Sequence, residues 1–346
     1  MRRAKICILH VGGTIGMVST DDGLQPQAGV LERYLSRIPE LVRPGMPRYS
    51  IEVLEPLLDS ADMAPADWLR IARAIVERDR DFDGFVILHG TDTMVHTASA
   101  LSFLLPGLRK SIILTGAQLS LEHPRTDGRE HIITSVILAA QLQIPEVCIY
   151  FAAQLLRGNR AQKVDNQGFQ AFSSGNLPPL AKVGTGIKVA RHLVRSPGDG
   201  LPTEVSLDKQ PQVFALRVFP GITPGVMRAA LAKVTDGLVL ETYGSGTFPS
   251  HDPELLTPIE TATSRKPPTL VVNCSQCHGG VVRQDVYKSS RLLAEAGVIS
   301  GYDMTPEAAL TKLYVLLASG LSPANVRDKM VQDLAGELDH NAAKAV

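Results

Sequence analysis

The chain is poor in aromatic residues and in cysteine, and neither sign of charge is in excess. Of its 346 residues, 5% are aromatic, one is Trp and four are Cys. So few cysteines do not make the disulfide framework of a small secreted domain, which favours a reducing compartment. Lys+Arg (35) balance Asp+Glu (35), so the composition gives no reason to expect nucleic acid or an anionic membrane as a partner.

Long apolar runs are also missing. No segment approaches the roughly 20 apolar residues that a membrane span requires. Arg2, Arg3 and Lys5 precede the apolar run 6–9, as in a signal peptide, but that run is too short and no Ala-x-Ala-like cleavage site follows. We therefore expect a soluble, cytoplasmic protein without membrane contact, and a first buried strand that begins near Lys5.

Short apolar runs alternate with amphipathic segments along the chain. The runs are continuous, as in strands buried on both faces. Predicted strands are Lys5–Val11, Phe85–His89, Ser111–Thr115, Val147–Phe151, Val213–Val218, Leu238–Thr242 and Leu270–Asn273. Helices are predicted after Pro65 and from Thr305-Pro306, where a capping residue precedes Pro. This alternation is typical of an α/β fold with a doubly wound, mostly parallel sheet.

The pattern lapses between Arg191 and Gln212, where the Pro- and Gly-rich stretch 196–202 continues neither a strand nor a helix. We predict a larger N-terminal domain over residues 1–190, a linker over 191–212 and a smaller C-terminal α/β domain over 213–346. Two domains also fit a chain of this length.

Residues with hydroxyl, carboxylate and amine groups follow the predicted strands. Thr14 follows the first, Thr91 and Asp92 follow the second, and Lys163 comes some residues after the strand Val147–Phe151. In an open parallel sheet, ligands bind beyond the carboxyl ends of the strands. We therefore expect these four side chains to meet at one edge of the sheet.

Such a set suits acyl transfer from a small amide or ester to water. A threonine hydroxyl becomes a nucleophile when a neighbouring base takes its proton, and a lysine amine is one such base. Adjacent glycines leave backbone N–H groups free for a developing oxyanion. Taken singly, each motif also fits a turn, a helix cap or a surface charge; together they favour a functional site.

The motifs resemble those of a known family. Gly12-Gly13-Thr14-Ile15-Gly16 and His89-Gly90-Thr91-Asp92-Thr93-Met94 resemble the two signature motifs of bacterial-type L-asparaginases, closest to the cytoplasmic, type I branch. The resemblance covers nearly the whole chain and includes Asp59–Met63, Arg157–Arg160 and Gly301–Thr305. It implies hydrolysis of the side-chain amide of L-asparagine to L-aspartate and ammonia.

The resemblance also implies roles for individual residues. Thr14 would be the nucleophile that forms an acyl-enzyme, and Thr91, Asp92 and Lys163 would form a second triad that activates the attacking group or water. Substrate-binding residues would be Asp59, Ser60, Gly90, Thr91, Asp92 and Ala117. The family needs no metal or organic cofactor. Its members are homodimers or homotetramers, with a neighbour's C-terminal domain closing the pocket.

One departure bears on activity. The family's loop after the first motif usually supplies a tyrosine whose hydroxyl meets the nucleophilic threonine, whereas this sequence has Leu24 there. Either Tyr34, Tyr287 or Tyr302 substitutes for it, or Thr91 and Lys163 carry more of the activation, or turnover is impaired. We expect reduced but real hydrolysis; the alternative is a non-catalytic or weakly catalytic asparagine sensor.

Cys274, Cys277 and Gln162 bear on two further possible sites. The run from Cys274 to His278 has the C-x-x-C-H spacing of haem attachment, but its place directly after an apolar strand favours a strand-end turn with partly buried thiols. Some cytoplasmic members bind a regulatory asparagine near Cys277 and the residue before the triad lysine. Here Gln162 replaces the threonine expected at that place, which argues against such a site.

A related amidase subunit of tRNA-dependent amidotransferases shares these motifs but carries an extra domain before the first one. Only nine residues precede His10. We therefore expect the hydrolase and not that subunit.

Overall fold

The computed structural model describes residues 3–21, 23–27, 29–232 and 235–340. The chain divides into two compact units, Met1–Val205 and Ser206–Val346. The division falls within residues 191–212, for which the sequence predicts a linker. None of the helices in the described ranges has the length and apolar character needed to cross a membrane.

The first unit contains one large sheet, two small ones and four α-helices among its described residues. Its strands are β1 (Lys5–Gly12), β2 (Met17–Thr20), β3 (Gly23–Pro26), β4 (Arg48–Leu58), β5 (Gly84–Leu88), β6 (Ile112–Thr115), β7 (Val147–Phe151), β8 (Gln154–Arg157), β9 (Gln162–Lys163), β10 (Phe172–Ser173), β11 (Ala181–Val183) and β12 (Ile187–Val189). Its α-helices are α1 (Val30–Leu35), α2 (Pro65–Arg78), α3 (Met94–Leu104) and α4 (Gly128–Gln141).

The large sheet has the strand order β12-β11-β8-β7-β6-β5-β1-β4. The five strands β4, β1, β5, β6 and β7 are parallel, and β8, β11 and β12 extend the sheet antiparallel. Residues of β5 and β6 are buried along their whole length, which explains their continuous apolar sequences. Leu88 of β5 packs in one core cluster with Ile132 and Val136 of α4, so α4 covers one face of this sheet.

The second unit is a four-stranded parallel sheet with helices. Its strands are β13 (Val213–Arg217), β14 (Gly237–Thr242), β15 (Leu270–Ser275) and β16 (Ile299–Ser300), in that order in the sheet. Its α-helices are α5 (Pro224–Leu231), α6 (Thr257–Thr263), α7 (Lys288–Glu295), α8 (Pro306–Ala318) and α9 (Pro323–Met330). Thr305 caps α8, because its hydroxyl oxygen accepts a hydrogen bond from the Ala308 N–H.

The predicted fold class is confirmed: a larger N-terminal domain with a mostly parallel sheet and a smaller C-terminal α/β domain. The seven predicted strands correspond to β1, β5, β6, β7, β13, β14 and β15. The prediction missed β4, the antiparallel extension, the edge strand β16 and the two small sheets β2–β3 and β9–β10. The sequence of β4 mixes charged and apolar residues because this strand lies at the sheet edge, and none of its residues is fully buried.

Candidate active site

Two threonine-bearing loops touch each other at the carboxyl ends of β1 and β5. These strands are parallel neighbours, with His10 opposite Leu88. Gly13 has a φ of +90°, and a Cβ atom built on it would lie 2.2 Å from the Gly90 backbone nitrogen. Only glycine permits this approach. Thr14 follows Gly13, and Thr91 follows Gly90. The contact between the two glycines therefore brings the two loops, and with them the two predicted catalytic threonines, close together in space.

Thr91, Asp92 and Lys163 form a hydrogen-bonded group. The Lys163 Nζ lies 2.8 Å from the Thr91 Oγ1 and 2.6 Å from the Asp92 Oδ1. The side chain of Lys163 is 17% exposed and that of Asp92 is 63% exposed. The amine is thus held between a buried hydroxyl and a carboxylate that faces solvent, which fixes its position relative to Thr91.

Lys163 reaches this group by a route that differs from the prediction. The sequence was interpreted as placing it beyond the carboxyl end of β7, but β8 pairs antiparallel to β7 and carries Arg157 back beside Cys148. A short 3-10 helix then starts at Gly158, where an added Cβ would lie 2.8 Å from the Cβ of Ala98 in α3. The segment 158–163 therefore passes along α3 and returns the lysine to the active edge of the sheet.

Asp59 and Ser60 follow the carboxyl end of β4. Ser60 is 2% exposed and packs behind the second threonine loop: its Oγ accepts from the Asp92 N–H at 3.3 Å, and its carbonyl oxygen accepts from the Thr93 hydroxyl at 2.7 Å. Asp59 is exposed, and its carboxylate caps the following turn by accepting from the Ala61 N–H. Ser60 thus supports the Thr91 loop, and both residues lie beside it.

Ala117 lies just beyond the carboxyl end of β6 and is 2% exposed. An added Cβ at Gly128 would lie 3.1 Å from the Ala117 Cβ and 3.1 Å from Ile15 Cγ1, so the first turn of α4 packs against both loops. The N–H groups of Gln118 and Leu119 donate to the Asp127 carboxylate at 3.0–3.1 Å. Those bonds tie the loop after β6 to the start of α4.

His89 is buried directly below the Thr91 loop. Its Nδ1 lies 2.7 Å from the Gly90 carbonyl oxygen and its Nε2 lies 2.8 Å from the Thr97 hydroxyl. Burial lowers the pKa of His89 from 6.5 to about 4, so the imidazole is neutral near pH 7. The sequence predicted no role for His89, although its place directly before Gly90 in the second motif was a signal.

The side chain of Leu24 lies outside the described part of the structure; its backbone pairs with Ser19 in the β2–β3 hairpin. Three tyrosines were candidates to replace it. The Tyr34 hydroxyl donates a hydrogen bond to the Glu122 Oε1 at 3.0 Å. Burial and that carboxylate raise the pKa of Tyr34. Tyr302 packs edge-on against His340, and Tyr287 is 52% exposed.

The cysteine motif is divided between the inside and the surface of the second unit. Cys274 is buried in β15, and Cys277 is exposed after it. Burial raises the pKa of the Cys274 thiol well above its usual range. Within the described ranges, no three His, Cys, Asp or Glu side chains are grouped so that they could hold a metal ion.

Arg157 is a structural residue and lies away from the threonine group. It is 7% exposed and forms an ion pair with Glu146, which is 4% exposed, at 2.5 Å. The Arg157 guanidinium also donates to the Leu193 carbonyl oxygen, and the Glu146 carboxylate accepts from the Arg195 N–H at 2.8 Å. A buried pair with these additional bonds fixes the start of β7 to the end of β8.

The site therefore combines two hydroxyls on touching loops, one amine held by a carboxylate, and glycines that let the backbone come close to a small ligand. Comparison with known proteins agrees. Residues 5–195 match the model of the N-terminal asparaginase domain, and residues 212–330 match the glutaminase/asparaginase C-terminal domain. The chain belongs to the asparaginase family.

Individual members of this family align over nearly the full chain. L-asparaginase 1 of Escherichia coli K12 is 42% identical over 98% of this chain and 99% of its own length. The crystal structure of L-asparaginase I from Vibrio cholerae is 42% identical, covers 98% of this chain and 100% of that one, and superposes with a TM-score of 0.89. A Campylobacter jejuni structure named a probable cytoplasmic L-asparaginase is 25% identical, covers 95% and 100%, and has a TM-score of 0.77.

Proposed function

We propose that this asparaginase-family enzyme hydrolyses the side-chain amide of L-asparagine to L-aspartate and ammonia, with Thr14 as the nucleophile. The proposal rests above all on the hydrogen bond between Lys163 and Thr91. Thr91 lies on the loop whose Gly90 touches Gly13, the residue before Thr14. Asp59, Ser60, Gly90 and Ala117 remain proposed substrate-binding residues, since they line the same strand ends. No metal or organic cofactor takes part in the proposed reaction.

The proposed reaction has two steps. The Thr14 Oγ1 attacks the carboxamide carbon, the C–N bond breaks, and the amide nitrogen leaves as ammonia after it receives the proton of the hydroxyl. Water then attacks the ester carbon, which releases aspartate and restores the threonine. Over both steps, one water is consumed and one ammonia is released.

The second threonine supplies the path for the proton. In its neutral form, the Lys163 amine accepts the proton of the Thr91 hydroxyl, which lies 2.8 Å away. Thr91 can then take a proton from Thr14 or from water. Asp92, at 2.6 Å from the same amine, keeps it in place and stabilises its charge. General acid–base help of this kind contributes roughly 10²–10⁴ in rate.

The test is ammonia release from L-asparagine by the purified chain and its variants. Lys163→Met should lower kcat by about 10²–10⁴-fold, and Thr14→Ala should abolish turnover. Thr185→Ala and Lys182→Met are matched controls, because both residues are exposed at the β11–β12 hairpin; neither should alter kcat.

Rapid quenching followed by peptide mass spectrometry locates the ester. An aspartyl adduct on the peptide that contains Thr14 is the expected result. Near-native activity of Thr14→Ala, or an adduct on the Thr91 peptide, would overturn the assignment of the nucleophile. Calorimetric binding of asparagine without ammonia release by the unaltered chain would refute hydrolysis and support a sensor.

The location and assembly of the protein are part of the same proposal. A cytoplasmic location is supported by the relative from Campylobacter jejuni that carries this word in its name. A homodimer or homotetramer is proposed from the family resemblance. Analytical ultracentrifugation of the purified chain decides between a monomer and these assemblies.

A further inference from the structure

Several buried backbone N–H groups at the candidate active site donate no hydrogen bond to any described residue, among them those of Gly90, Thr91, Gly116 and Ala117. Thr91, which is 7% exposed, and Ala117, which is 2% exposed, are the two whose peptide carbonyl lies within hydrogen-bond distance of a histidine. Each follows a glycine just beyond the end of β5 or β6. Buried N–H groups nearly always have an acceptor. Acceptors for these two are therefore expected from a bound ligand.

Histidines set the direction in which both groups point. In a planar trans peptide, the C=O and the following N–H point to opposite sides. The Gly90 carbonyl oxygen lies 2.7 Å from the Nδ1 of His89, and the Gly116 carbonyl oxygen lies 2.9 Å from the Nδ1 of His131. Each imidazole thus holds one carbonyl, and the N–H of the same peptide faces away from that imidazole.

The two imidazoles approach the site from opposite faces of the sheet. His89 is bonded to Thr97 of α3, whereas His131 belongs to α4, on the face where Leu88 packs. Because side chains alternate along a strand, His89 points away from the face that Leu88 occupies. The carbonyls are thus drawn toward opposite faces, and each N–H points toward the face opposite to its own imidazole.

The hydrogen bonds also fix the protonation of both rings. A carbonyl oxygen can only accept, so Nδ1 carries the proton in each ring. The Nε2 of His131 lies 3.1 Å from the backbone nitrogen of Ala152, whose N–H can only donate, so this nitrogen has no proton. The Nε2 of His89 likewise accepts from the Thr97 hydroxyl. Its lowered pKa, due to burial, agrees with a neutral ring.

We propose that His89 and His131 are positioning residues: as neutral imidazoles protonated on Nδ1, they hold the Thr91 and Ala117 N–H groups toward the crevice, where these donate to oxygen atoms of the bound amide substrate. The proposal rests on the proposed function for the identity of that substrate. Charge that develops on the substrate oxygen in the transition state makes such donors worth more there than in the ground state.

A pair of amide substitutions tests the proposal. In a His→Asn variant, the N–H of the Asn side chain occupies nearly the position of the histidine Nδ1, so the hydrogen bond to the glycine carbonyl is kept. In His→Gln, the amide reaches the place of Nε2, so that bond is lost. Loss of one oxyanion donor costs about 10²–10³ in kcat, and a misdirected donor should cost somewhat less.

We therefore expect H89Q and H131Q to lower kcat by about 10- to 100-fold with KM nearly unchanged, and H89N and H131N to recover most of the loss. His96 is the matched control: it lies on α3, and its Nδ1 has no partner among the described residues. H96N and H96Q should both keep the kcat of the unaltered chain. Equal kcat for the Asn and Gln variants of His89 and of His131 would overturn the proposal.

The tautomer is tested without substrate. In chain labelled with ¹⁵N-histidine, the resonances that disappear in H89N and H131N identify the two rings. A protonated Nδ1 and an unprotonated Nε2 are expected in both rings near pH 7. A proton on Nε2 in either ring would refute the positioning role even if asparagine is hydrolysed. Absence of ammonia release with the expected tautomers would refute the proposed function alone.

Discussion

Acid should destabilise the N-terminal unit through two buried histidines. Burial lowers the pKa of His10 and of His89 from 6.5 to about 4. Below pH 6.5 the unfolded chain binds protons that the folded chain does not, so their contribution to stability is complete above pH 6.5 and is lost as the pH falls toward 4. Between about pH 7.5 and about pH 5, the loss is about 2 kcal/mol for each histidine and about 4 kcal/mol for both.

Urea unfolding at both pH values measures this loss, since the free energy of unfolding is obtained at each pH by linear extrapolation. H10Q and H89Q should each reduce the difference between the two values by about 2 kcal/mol, whatever they do to stability at pH 7.5. H192Q is the control, because His192 is exposed and should leave the difference unchanged.

Direct titration by NMR provides a second measurement. The ring carbon resonances of His10 and His89 should titrate near pH 4, not near 6.5. The reasoning is refuted if either ring titrates in the folded chain near 6.5, or if the substitutions leave the pH dependence of the unfolding free energy as it was.

Three further predictions concern backbone geometry, the loop and the second unit. G13A should abolish asparagine hydrolysis, because a Cβ there meets the Gly90 nitrogen at 2.2 Å and φ is +90°. L24Y should raise kcat/KM for asparagine, because it restores a hydroxyl to the loop that follows the first motif. E337Q should lower the urea stability of the chain by about 3–5 kcal/mol, because Lys312 and Glu337, both 0% exposed, form an ion pair at 2.5 Å.

Matched variants control two of these. Gly29 has a φ of +74° but open space around it, so G29A tests conformational strain without the clash; equal loss of activity in G13A and G29A would contradict the contact argument. Glu295 is exposed, and E295Q should leave the unfolding free energy unchanged. An unchanged kcat/KM in L24Y would mean that Leu24 causes no deficit.

The sequence predicted the strands whose apolar sequence pattern results from burial alone. β5, β6 and β15 are buried throughout, and a strand covered on both faces has a continuous apolar sequence. β4 was not predicted, because an edge strand needs fewer apolar residues and its alternation is interrupted by Glu and Pro. Burial leaves a signal in the sequence, whereas a position at the sheet edge leaves little.

The candidate site could be predicted where its residues directly follow parallel strands. Thr14 and Thr91 do so, and adjacent strands bring their loops together. The position of Lys163 depends on the β7–β8 hairpin, in which Ala152 and Ala153 both have positive φ values. Neither residue belongs to the types that usually mark such a turn, so the return of the chain had no local signal.

The hydrogen bond between His131 and the Gly116 carbonyl also had no signal in the sequence. His131 stands on α4 in a sequence that gives no hint of function, and its partners are carbonyl and amide groups of the backbone, which every residue possesses. A motif search detects side chains that carry chemistry, but it cannot detect which backbone groups a buried ring will face. The two candidate threonines stand in motifs that directly follow β1 and β5 and are visible in the sequence. If His89 and His131 position the donors as proposed, the groups that direct those donors follow only from the packing of α3 and α4 on opposite faces of the sheet.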